Sequence, residues 1–236
     1  MNRKEIKAKG KTAFKANYWP AVLAGFLLQI AVSAGSTATA QSGQDEVTEL
    51  KSSLEGLDPA ALALIVTTVL SAVIIVLAIS SVLNIFVLRP LELGCQNFFR
   101  KNLEAPAPLG ETCSGFKGNY GKNVVTMLLR DIFLALWTCL FIIPGIIKTY
   151  SYRFVPYIRE EHPEMSATEV ITESRRMMDG HKWEAFVFDL SFIGWFLLAA
   201  ITCNLVGIFY VRPYYASSCA NYYEAVKGTT PVSTVE

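Results

Sequence analysis

Apolar residues are gathered into long runs, and these runs predict helices that cross a membrane. The longest run without a charged side chain extends from Pro59 to Leu88. At about 1.5 Å of rise per residue, a helix over this run exceeds the roughly 30 Å hydrocarbon layer of a bilayer. A second run begins with Tyr18 and Trp19, which suit the level of the lipid headgroups, and stays apolar to Ala34. Both runs are predicted to be membrane spans.

The first run also has features of a secretory signal peptide. A basic start and an apolar stretch are followed by Ala38, Thr39 and Ala40, a small-residue pattern found at cleavage sites. Cleavage after Ala40 would leave the new end of the chain outside and every later span in the same orientation. The pattern therefore leaves open whether the first run is retained.

Two further apolar runs, residues 124–143 and 183–203, each match the length of one crossing. Each contains two charged side chains.

Two more stretches have an ambiguous pattern. Pro144-Gly145 interrupts the chain after the third run, so residues 146–159 could form a short returning helix. A turn near Asn204 could likewise lead back into residues 206–224. A four-span interpretation ignores both returns, whereas a six-span interpretation accepts both.

The distribution of basic residues favours six spans. Six Lys and Arg residues precede the first run, whereas the loop at residues 35–59 contains one lysine and five acidic residues. By the positive-inside rule, the N-terminal end is cytoplasmic and this loop is outside. Six spans also keep the basic residues between 159 and 182 in the cytoplasm. We predict an all-α transmembrane bundle with both termini in the cytoplasm. The predicted spans are residues 18–38, 60–88, 124–143, 146–159, 183–203 and 206–224.

The sequence also contains a possible threefold internal repeat. Related motifs precede three runs: Ala16-Asn17-Tyr18-Trp19, Gly118-Asn119-Tyr120-Gly121-Lys122 and Gly180-His181-Lys182-Trp183. Related returning segments contain Arg89-Pro90, Arg212-Pro213 and, more loosely, Arg153 with Pro156. The six spans would then form three hairpins. The alternative is that interfacial aromatic residues and tolerated prolines simply recur in membrane helices.

Two amphipathic helices are predicted on the cytoplasmic face. Ser166 and Glu169 form a capping box at the start of a helix over residues 166–178. The N-terminal helix has an apolar face with lysines around the rest, which suits a surface rich in anionic lipid. The alternative is that this basic helix only fixes topology. The candidate lipid-surface residues are Lys7, Lys9 and Lys11.

Several motifs carry a resemblance to a known family. They are Leu136-Trp137, Ile143-Pro144-Gly145-Ile146-Ile147-Lys148, Tyr150-Ser151-Tyr152, Pro156-Tyr157-Ile158, Gly180-His181-Lys182-Trp183, Asp189-Leu190-Ser191-Phe192-Ile193-Gly194-Trp195 and Pro213-Tyr214. With Asn17-Tyr18-Trp19, they resemble the domain of unknown function 975 family of bacterial integral membrane proteins. The resemblance implies a polytopic protein of the cytoplasmic membrane, typical of Gram-positive bacteria, with its first span retained. The chain departs from the family pattern at Cys203-Asn204-Leu205, where a glycine-rich turn is expected.

Ionisable side chains at membrane depth are the candidate functional residues. Asp131 and Arg159 lie at similar distances from Pro144-Gly145, so an ion pair between them is predicted near the cytoplasmic interface. Arg153 and Arg212 have no acidic residue level with them in their own hairpin. They require an Asp of another hairpin, exposed backbone carbonyls or a water-filled cavity. The alternative is that they extend to headgroup phosphates.

Asp189 is the remaining candidate. It would lie roughly 9 Å beyond the interfacial Trp183 in a straight helix. A proton-linked or cation-linked role requires it to face the bundle interior. The alternative is a structural hydrogen bond to Ser191, Asn221 or Tyr222.

Composition and motifs exclude several classes of function. The chain is 52% hydrophobic with a mean hydropathy of +0.36, too apolar for an ordinary soluble domain, and its formal net charge of +1 argues against nucleic acid as a partner. The five cysteines include no C-x-x-C, and the two histidines have no second ligand at metal spacing. Hydrolase, P-loop and dinucleotide motifs are missing from the sequence, so no cofactor is predicted.

Three hypotheses follow from these patterns. The favoured one is a non-enzymatic accessory protein that organises lipid or a partner at the bilayer. The alternative is a small-solute or ion transporter or channel that uses intramembrane Arg and Asp residues. An enzyme is the least supported class. The sequence identifies neither a protein partner nor an oligomeric state.

Overall fold

A computed structural model describes residues 3–33 and 58–230, and every regular element within these ranges is helical. The all-α prediction is therefore confirmed for this part of the chain. Among these residues, three helices are long and apolar enough to cross a membrane: Ala63–Lys101, Tyr120–Leu140 and Lys182–Ile201. The predicted cleavage site at Ala40 and most of the predicted outer loop lie outside the described residues.

The helices follow one another with short connections. They are α1 (Arg3–Ala16), α2 (Tyr18–Ser33), α3 (Pro59–Leu83), α4 (Arg89–Lys101), α5 (Tyr120–Leu140), α6 (Ile142–Ser151), α7 (Val155–Glu161), α8 (Ala167–Met177), α9 (Lys182–Leu190), α10 (Ile193–Ile201) and α11 (Arg212–Thr229). Two π-helical segments, Asn84–Leu88 and Gly207–Val211, and a 3₁₀ helix, Leu109–Phe116, complete the set.

The helix α3 presents apolar side chains in every direction. Pro59 opens it at a position where a missing N–H costs nothing, and Leu, Ile, Val and Ala dominate its sequence. The described side chains of α3 are all exposed. A helix that is apolar all round and exposed all round is suited to lipid rather than to water.

The two π-helical segments have the same structure at their ends. The backbone N–H of Arg89 donates to the carbonyl of Asn84, and that of Arg212 donates to Gly207, five residues back in each case. A proline follows each arginine. The widened turn accommodates a residue that would crowd an ordinary α-helical turn.

A tyrosine hydroxyl binds the same carbonyl position in both segments. Phe86 and Phe209 each lie four residues before the proline, which has no N–H to donate to their carbonyls. The Tyr120 hydroxyl donates to the carbonyl of Phe86 at 2.6 Å, and the Tyr18 hydroxyl donates to that of Phe209 at 3.2 Å. These tyrosines belong to two of the three related motifs found in the sequence.

One kind of contact, in which a short surface element packs on a helix of the bundle, occurs three times in the described residues. The helix α1 packs on α11, the 3₁₀ helix packs on α4, and α8 packs on α7. The Asn221 amide donates to the carbonyl of Ile6, and the Asn97 amide donates to the hydroxyl of Ser114. In the third case the hydroxyl of Ser174 donates to a backbone carbonyl at the end of α6.

Close approach in two of these contacts requires glycine. A Cβ added to Gly10 of α1 would lie 2.8 Å from the Cα of Ser218 on α11. A Cβ added to Gly94 of α4 would collide with the carbonyl of Thr112 in the 3₁₀ helix. The surface elements are therefore held tightly against the bundle.

The break after α5 lies earlier than the sequence predicted. Phe141 is extended, with φ −155° and ψ 135°, and it separates α5 from α6. Pro144 falls in the first turn of α6, where a helix tolerates proline. The predicted segment 146–159 is likewise two helices, because the chain turns between Ser151 and Val155.

The turn after α10 has the backbone of a glycine turn without glycine. Cys203 and Asn204 have φ values of 49° and 64°, in the left-handed region. This region favours glycine and tolerates asparagine better than other residues. Cys203 and Asn204 therefore adopt the backbone conformation that glycines, expected at this turn, would favour.

Candidate functional site

A cavity of about 590 Å³ lies between α2, α4, α5, α10 and α11. Its volume is in the range of small-molecule binding sites. Four arginines line it, and they come from different parts of the chain: Arg89, Arg130, Arg153 and Arg212. We call it the central cavity.

Two of these arginines share two carboxylates. The Nη1 and Nη2 atoms of Arg130 donate to the Glu92 carboxylate at 3.0 and 3.3 Å. The Nη1 atom of Arg89 donates to Glu92 at 2.8 Å, and its Nε atom lies 2.6 Å from the Asp131 carboxylate. Asp131 also accepts from Arg130 at 3.0 Å. This group of four contains equal numbers of opposite charges and forms one wall of the cavity.

Arg153 is held by a carboxylate from a distant helix. It lies in the turn between α6 and α7, and its guanidinium donates to both oxygens of Asp189 on α9, at 3.0 and 2.8 Å. The Tyr215 hydroxyl accepts from Arg153 and donates to Asp189, each at 2.9 Å. The Cys219 Sγ atom accepts a further hydrogen bond from Arg153 at 3.1 Å. The donors of Arg153 are thus largely occupied by the protein.

Arg212 differs from the other three arginines. Within residues 3–33 and 58–230, no carboxylate lies within ion-pair distance of its guanidinium. The second π-helical segment and Pro213 fix its backbone, and Gly25 of α2 allows close packing against Pro213. Arg212 is therefore a positioned cation whose donors are available to a ligand.

The charges of the site do not cancel. Four arginines face three carboxylates, those of Glu92, Asp131 and Asp189, so one positive charge is uncompensated. An anion would offset this charge, because a counter-charge lowers the cost of holding the extra guanidinium away from bulk water.

The floor and the rim of the central cavity differ in polarity. Glu92 and Arg130 are buried, at 5% and 8% exposure. Val32 and Phe196, at 51% and 39% exposure, contribute apolar surface where the cavity meets the outside of the bundle. A polar floor beneath an apolar rim suits a ligand with one charged end.

A second cavity, of about 350 Å³, adjoins the first. Phe196 and Arg212 line both cavities. The other lining residues are small or uncharged: Ala199, Ala200, Cys203, Asn204 and Gly207. Arg212 therefore stands at the junction of a charged cavity and a largely apolar one.

Four of the five intramembrane candidates from the sequence belong to this site. Asp131, Arg153 and Arg212 line the central cavity, and Asp189 holds Arg153. Of the partners that the sequence allowed for Arg153, the structure shows an Asp from another part of the chain. The specific hydrogen bonds proposed for Asp189 are wrong, since its partners are Arg153 and Tyr215 instead of Ser191, Asn221 or Tyr222.

The fifth candidate lies elsewhere, and the predicted Asp131–Arg159 ion pair is wrong. Arg159 is buried, and its guanidinium donates to the Asn123 side chain at 2.9 Å and to the carbonyls of Met165 and Pro163 at 2.7 and 2.9 Å. It fixes the connection between α7 and α8. Asp131 is bound by the arginines of the cavity.

The sequence analysis missed Glu92 and Arg130. Glu92 lies beyond residue 88, where the second predicted span ends, although the helix continues without interruption to Lys101. The spacing of Arg89 and Glu92, three residues apart on one helix, was a signal for an ion pair. Arg130 was visible as a charge within an apolar run.

The candidate lipid-surface lysines have unequal surroundings. The Lys7 ammonium donates to the carbonyl of Ser191 at 3.0 Å and lies 4.1 Å from the centre of the Phe192 ring. Burial, with repulsion from Arg3, lowers the pKa of Lys7 below its ordinary value. Lys9 and Lys11 are exposed.

Both amphipathic helices use their apolar faces within the protein. Ile6 and Phe14 of α1 are buried, and α1 packs on α11. The helix α8 begins with the capping box that the sequence predicted, and its Val170 and Met177 are buried. These faces are therefore not available to lipid, and only the charged sides of the two helices face outward.

A second charged cluster surrounds the end of α7. The Glu161 carboxylate accepts from Arg100 at 2.8 Å, from the Tyr223 hydroxyl at 2.6 Å and from Lys227 at 2.8 Å. Burial alone would raise the pKa of Glu161, but the hydrogen bonds of Lys227 and Tyr223 and the charge of Arg100 lower it below its ordinary value. Burial raises the pKa of the neighbouring Glu160 despite a hydrogen bond from Ser114.

Comparison with known proteins identifies a family and no characterised relative. A family model described as "Protein of unknown function (DUF975)" matches residues 62–230. No curated protein and no solved structure matches the chain.

In the described part of the chain, no group of three or more His, Cys, Asp or Glu side chains could hold a metal ion.

Proposed function

The chain belongs to the DUF975 family of proteins of unknown function, and from its central cavity we propose that it is a non-enzymatic membrane protein that binds an anion. The observation that carries this proposal is Arg212. It lies in the cavity with no carboxylate in reach among the described residues, while the other three arginines are paired. A positioned guanidinium with free donors is the usual protein group for phosphate or carboxylate.

We place this site within a six-span bundle of the cytoplasmic membrane, made of three hairpins with both termini in the cytoplasm. Three contacts between a surface element and a bundle helix recur along the chain, which supports three related units. The shared structure around Arg89 and Arg212 supports the same arrangement. The basic residues before the first span favour a cytoplasmic N-terminus.

The charged side of α1 adds a second, weaker contact with the bilayer in this proposal. Lys9 and Lys11 are exposed and would lie at the level of anionic headgroups. Lys7 is already bound to Ser191 and contributes less. Because the apolar face of α1 is buried against α11, α1 would bind the surface of the bilayer through charge alone.

Thermal unfolding of the purified protein tests the anion site. In a neutral detergent, sodium phosphate should raise the midpoint temperature above that in sodium chloride of equal ionic strength, because a ligand that binds only the folded state stabilises it. Arg212→Gln should abolish this difference. Lys117→Gln, which removes an exposed positive charge outside both cavities, is the matched control and should preserve it. An equal phosphate response in the wild type and Arg212→Gln would contradict the proposal.

A second candidate function, anion transport, is favoured by the position of Arg212 between two adjoining cavities. The second cavity extends from Arg212 to the turn at Cys203 and Asn204, which is the outer end of the last hairpin in the six-span arrangement. Interrupted helices flank the site, as in many transporters. Arg212→Leu should then abolish phosphate uptake into proteoliposomes. No uptake of phosphate or sulfate by the wild type would leave binding as the function.

A further inference from the structure

We infer that the natural ligand is an amphiphile with one anionic headgroup and an acyl chain, held with its headgroup at Arg212 and its chain in the second cavity. This inference rests on the proposed function, because it names the class of anion that the same site takes. The central cavity would contain the headgroup, and the junction at Arg212 and Phe196 would contain the start of the chain.

The charge of the site matches a single negative charge. Glu92 and Asp131 neutralise Arg89 and Arg130, and Asp189 neutralises Arg153. One positive charge, that of Arg212, is left for the ligand. A phosphodiester headgroup has one negative charge and accepts hydrogen bonds from a guanidinium.

Apart from Arg212 itself, the charged groups that line the two cavities lie on the side of the central cavity only. On the side of the central cavity, Gln96 and Tyr215 add polar groups to the wall. On the other side, Ala199, Ala200 and Cys203 line the second cavity. A small hydrated anion would gain nothing from this second cavity, whereas an alkyl chain attached to the anion would bury apolar surface there.

The surroundings of the second cavity are continuous with a lipid-suited surface. Leu197, Ile201 and Leu205 are large apolar side chains on the same part of the chain, and they are 60%, 81% and 61% exposed. A lipid diffusing within the bilayer could therefore reach Arg212 along an apolar route. The headgroup would then lie at the charged floor without crossing bulk water.

Native mass spectrometry in a neutral detergent can count bound lipid directly. Phosphatidylglycerol should add to the wild type, whereas phosphatidylcholine, whose headgroup has no net charge, should add at least about tenfold more weakly. Arg212→Gln should weaken phosphatidylglycerol binding by a similar factor. Ala200→Phe, which fills the second cavity from an exposed helix position, should also weaken it by about tenfold.

The matched control is Ala135→Phe, the same substitution at an exposed position of α5 that lines neither cavity. It should leave phosphatidylglycerol binding unchanged. Ala200→Phe should also leave the thermal response to inorganic phosphate unchanged, because phosphate needs only Arg212. This pattern, with the chain-specific loss at Ala200, would support the inference.

Two other outcomes separate the inference from the proposed function. If Arg212→Gln weakens binding but Ala200→Phe does not, the ligand has no chain in the second cavity, and the inference is overturned while the anion site stands. If Arg212→Gln changes neither phosphatidylglycerol nor phosphate binding, the anion site itself is wrong, and the inference is overturned with it.

Discussion

The guanidinium of Arg153 donates two hydrogen bonds to the carboxylate of Asp189, although Arg153 precedes the helix α8 in the sequence and Asp189 follows it. The geometry is the parallel, two-point contact that Arg makes with carboxylates. It joins the turn between α6 and α7 to α9. The position of Arg153 in the cavity wall therefore depends on a residue from another part of the bundle.

We expect Asp189→Asn to lower the free energy of unfolding by about 2–4 kcal/mol, because it leaves a largely buried guanidinium without its counter-charge. Denaturant unfolding in detergent micelles measures this. Asp179→Asn is the control, since the Asp179 side chain is 82% exposed and lies 3.4 Å from Lys182. It should change stability by less than about 1 kcal/mol. Equal effects of the two substitutions would show that the Arg153 contact contributes nothing.

Single cysteines test the arrangement of the spans. Two variants each keep a single exposed cysteine: one retains only the native Cys203, and the other has Thr168→Cys in a background without native cysteines. With six spans, a membrane-impermeant maleimide should label Cys203 in intact cells and Thr168→Cys only after the membrane is opened. Four spans would reverse both results. Because the two positions give opposite outcomes, poor labelling at one cannot imitate either topology.

Gly10→Ala should loosen α1. The added Cβ would lie within 3 Å of backbone atoms of Ser218, which cannot move without shifting α11. We expect a loss of about 1–3 kcal/mol in the free energy of unfolding, the usual cost of overpacking. Gly194→Ala is the matched control, because a Cβ at this helical position meets nothing within 4 Å. Its helix propensity should make it neutral or stabilising.

The neighbouring carboxylates Glu160 and Glu161 should respond oppositely to pH. Since folding lowers the pKa of Glu161, its contribution is present above its unfolded pKa, near 4.5, and is lost as the pH falls through the folded value. Since folding raises the pKa of Glu160, its contribution is present at low pH and is lost as the pH rises through the folded value.

At pH 7 we therefore expect Glu161→Gln to cost about 1–3 kcal/mol, because Arg100, Tyr223 and Lys227 lose a charged acceptor. Glu160→Gln should be nearly neutral. Unfolding measured at pH 7 and pH 4 should show the cost of Glu161→Gln shrinking at the lower pH. A cost that grows on acidification would contradict the assigned pKa direction.

The helices could be predicted from the sequence better than the contacts between their side chains. Apolar runs and the capping box at Ser166 depend on local composition, so their helices could be predicted. The Asp131–Arg159 pair failed because the chain breaks at Phe141 instead of Pro144-Gly145, which changes the residues that lie level across the break. Arg89 and Arg130 also compete for Asp131, and no spacing rule ranks three cations around one carboxylate.

For the cavity, too, some features could be predicted from the sequence and others could not. The cost of a charge in a membrane predicted a partner for Arg153 but left open an Asp, backbone carbonyls or a water-filled cavity, and the structure shows Asp189. The first π-helical segment could not be predicted, because four of its five residues are apolar and its sequence shows no change of period. The face of α1 was ambiguous for a physical reason, since an apolar stripe packs equally well on lipid or on α11.

The two π-helical segments also determine where in the sequence the protein tolerates an inserted or deleted residue. One residue added to or removed from a helix rotates everything beyond it by about 100°. In α3, which is exposed on all sides, such a rotation exchanges one apolar side chain for another, so insertions and deletions there are nearly neutral. Between Gly207 and Arg212 the same change would turn the guanidinium away from Phe196 and out of the cavity. Natural length variation in this family should therefore be frequent before the first π-helical segment and rare within the second.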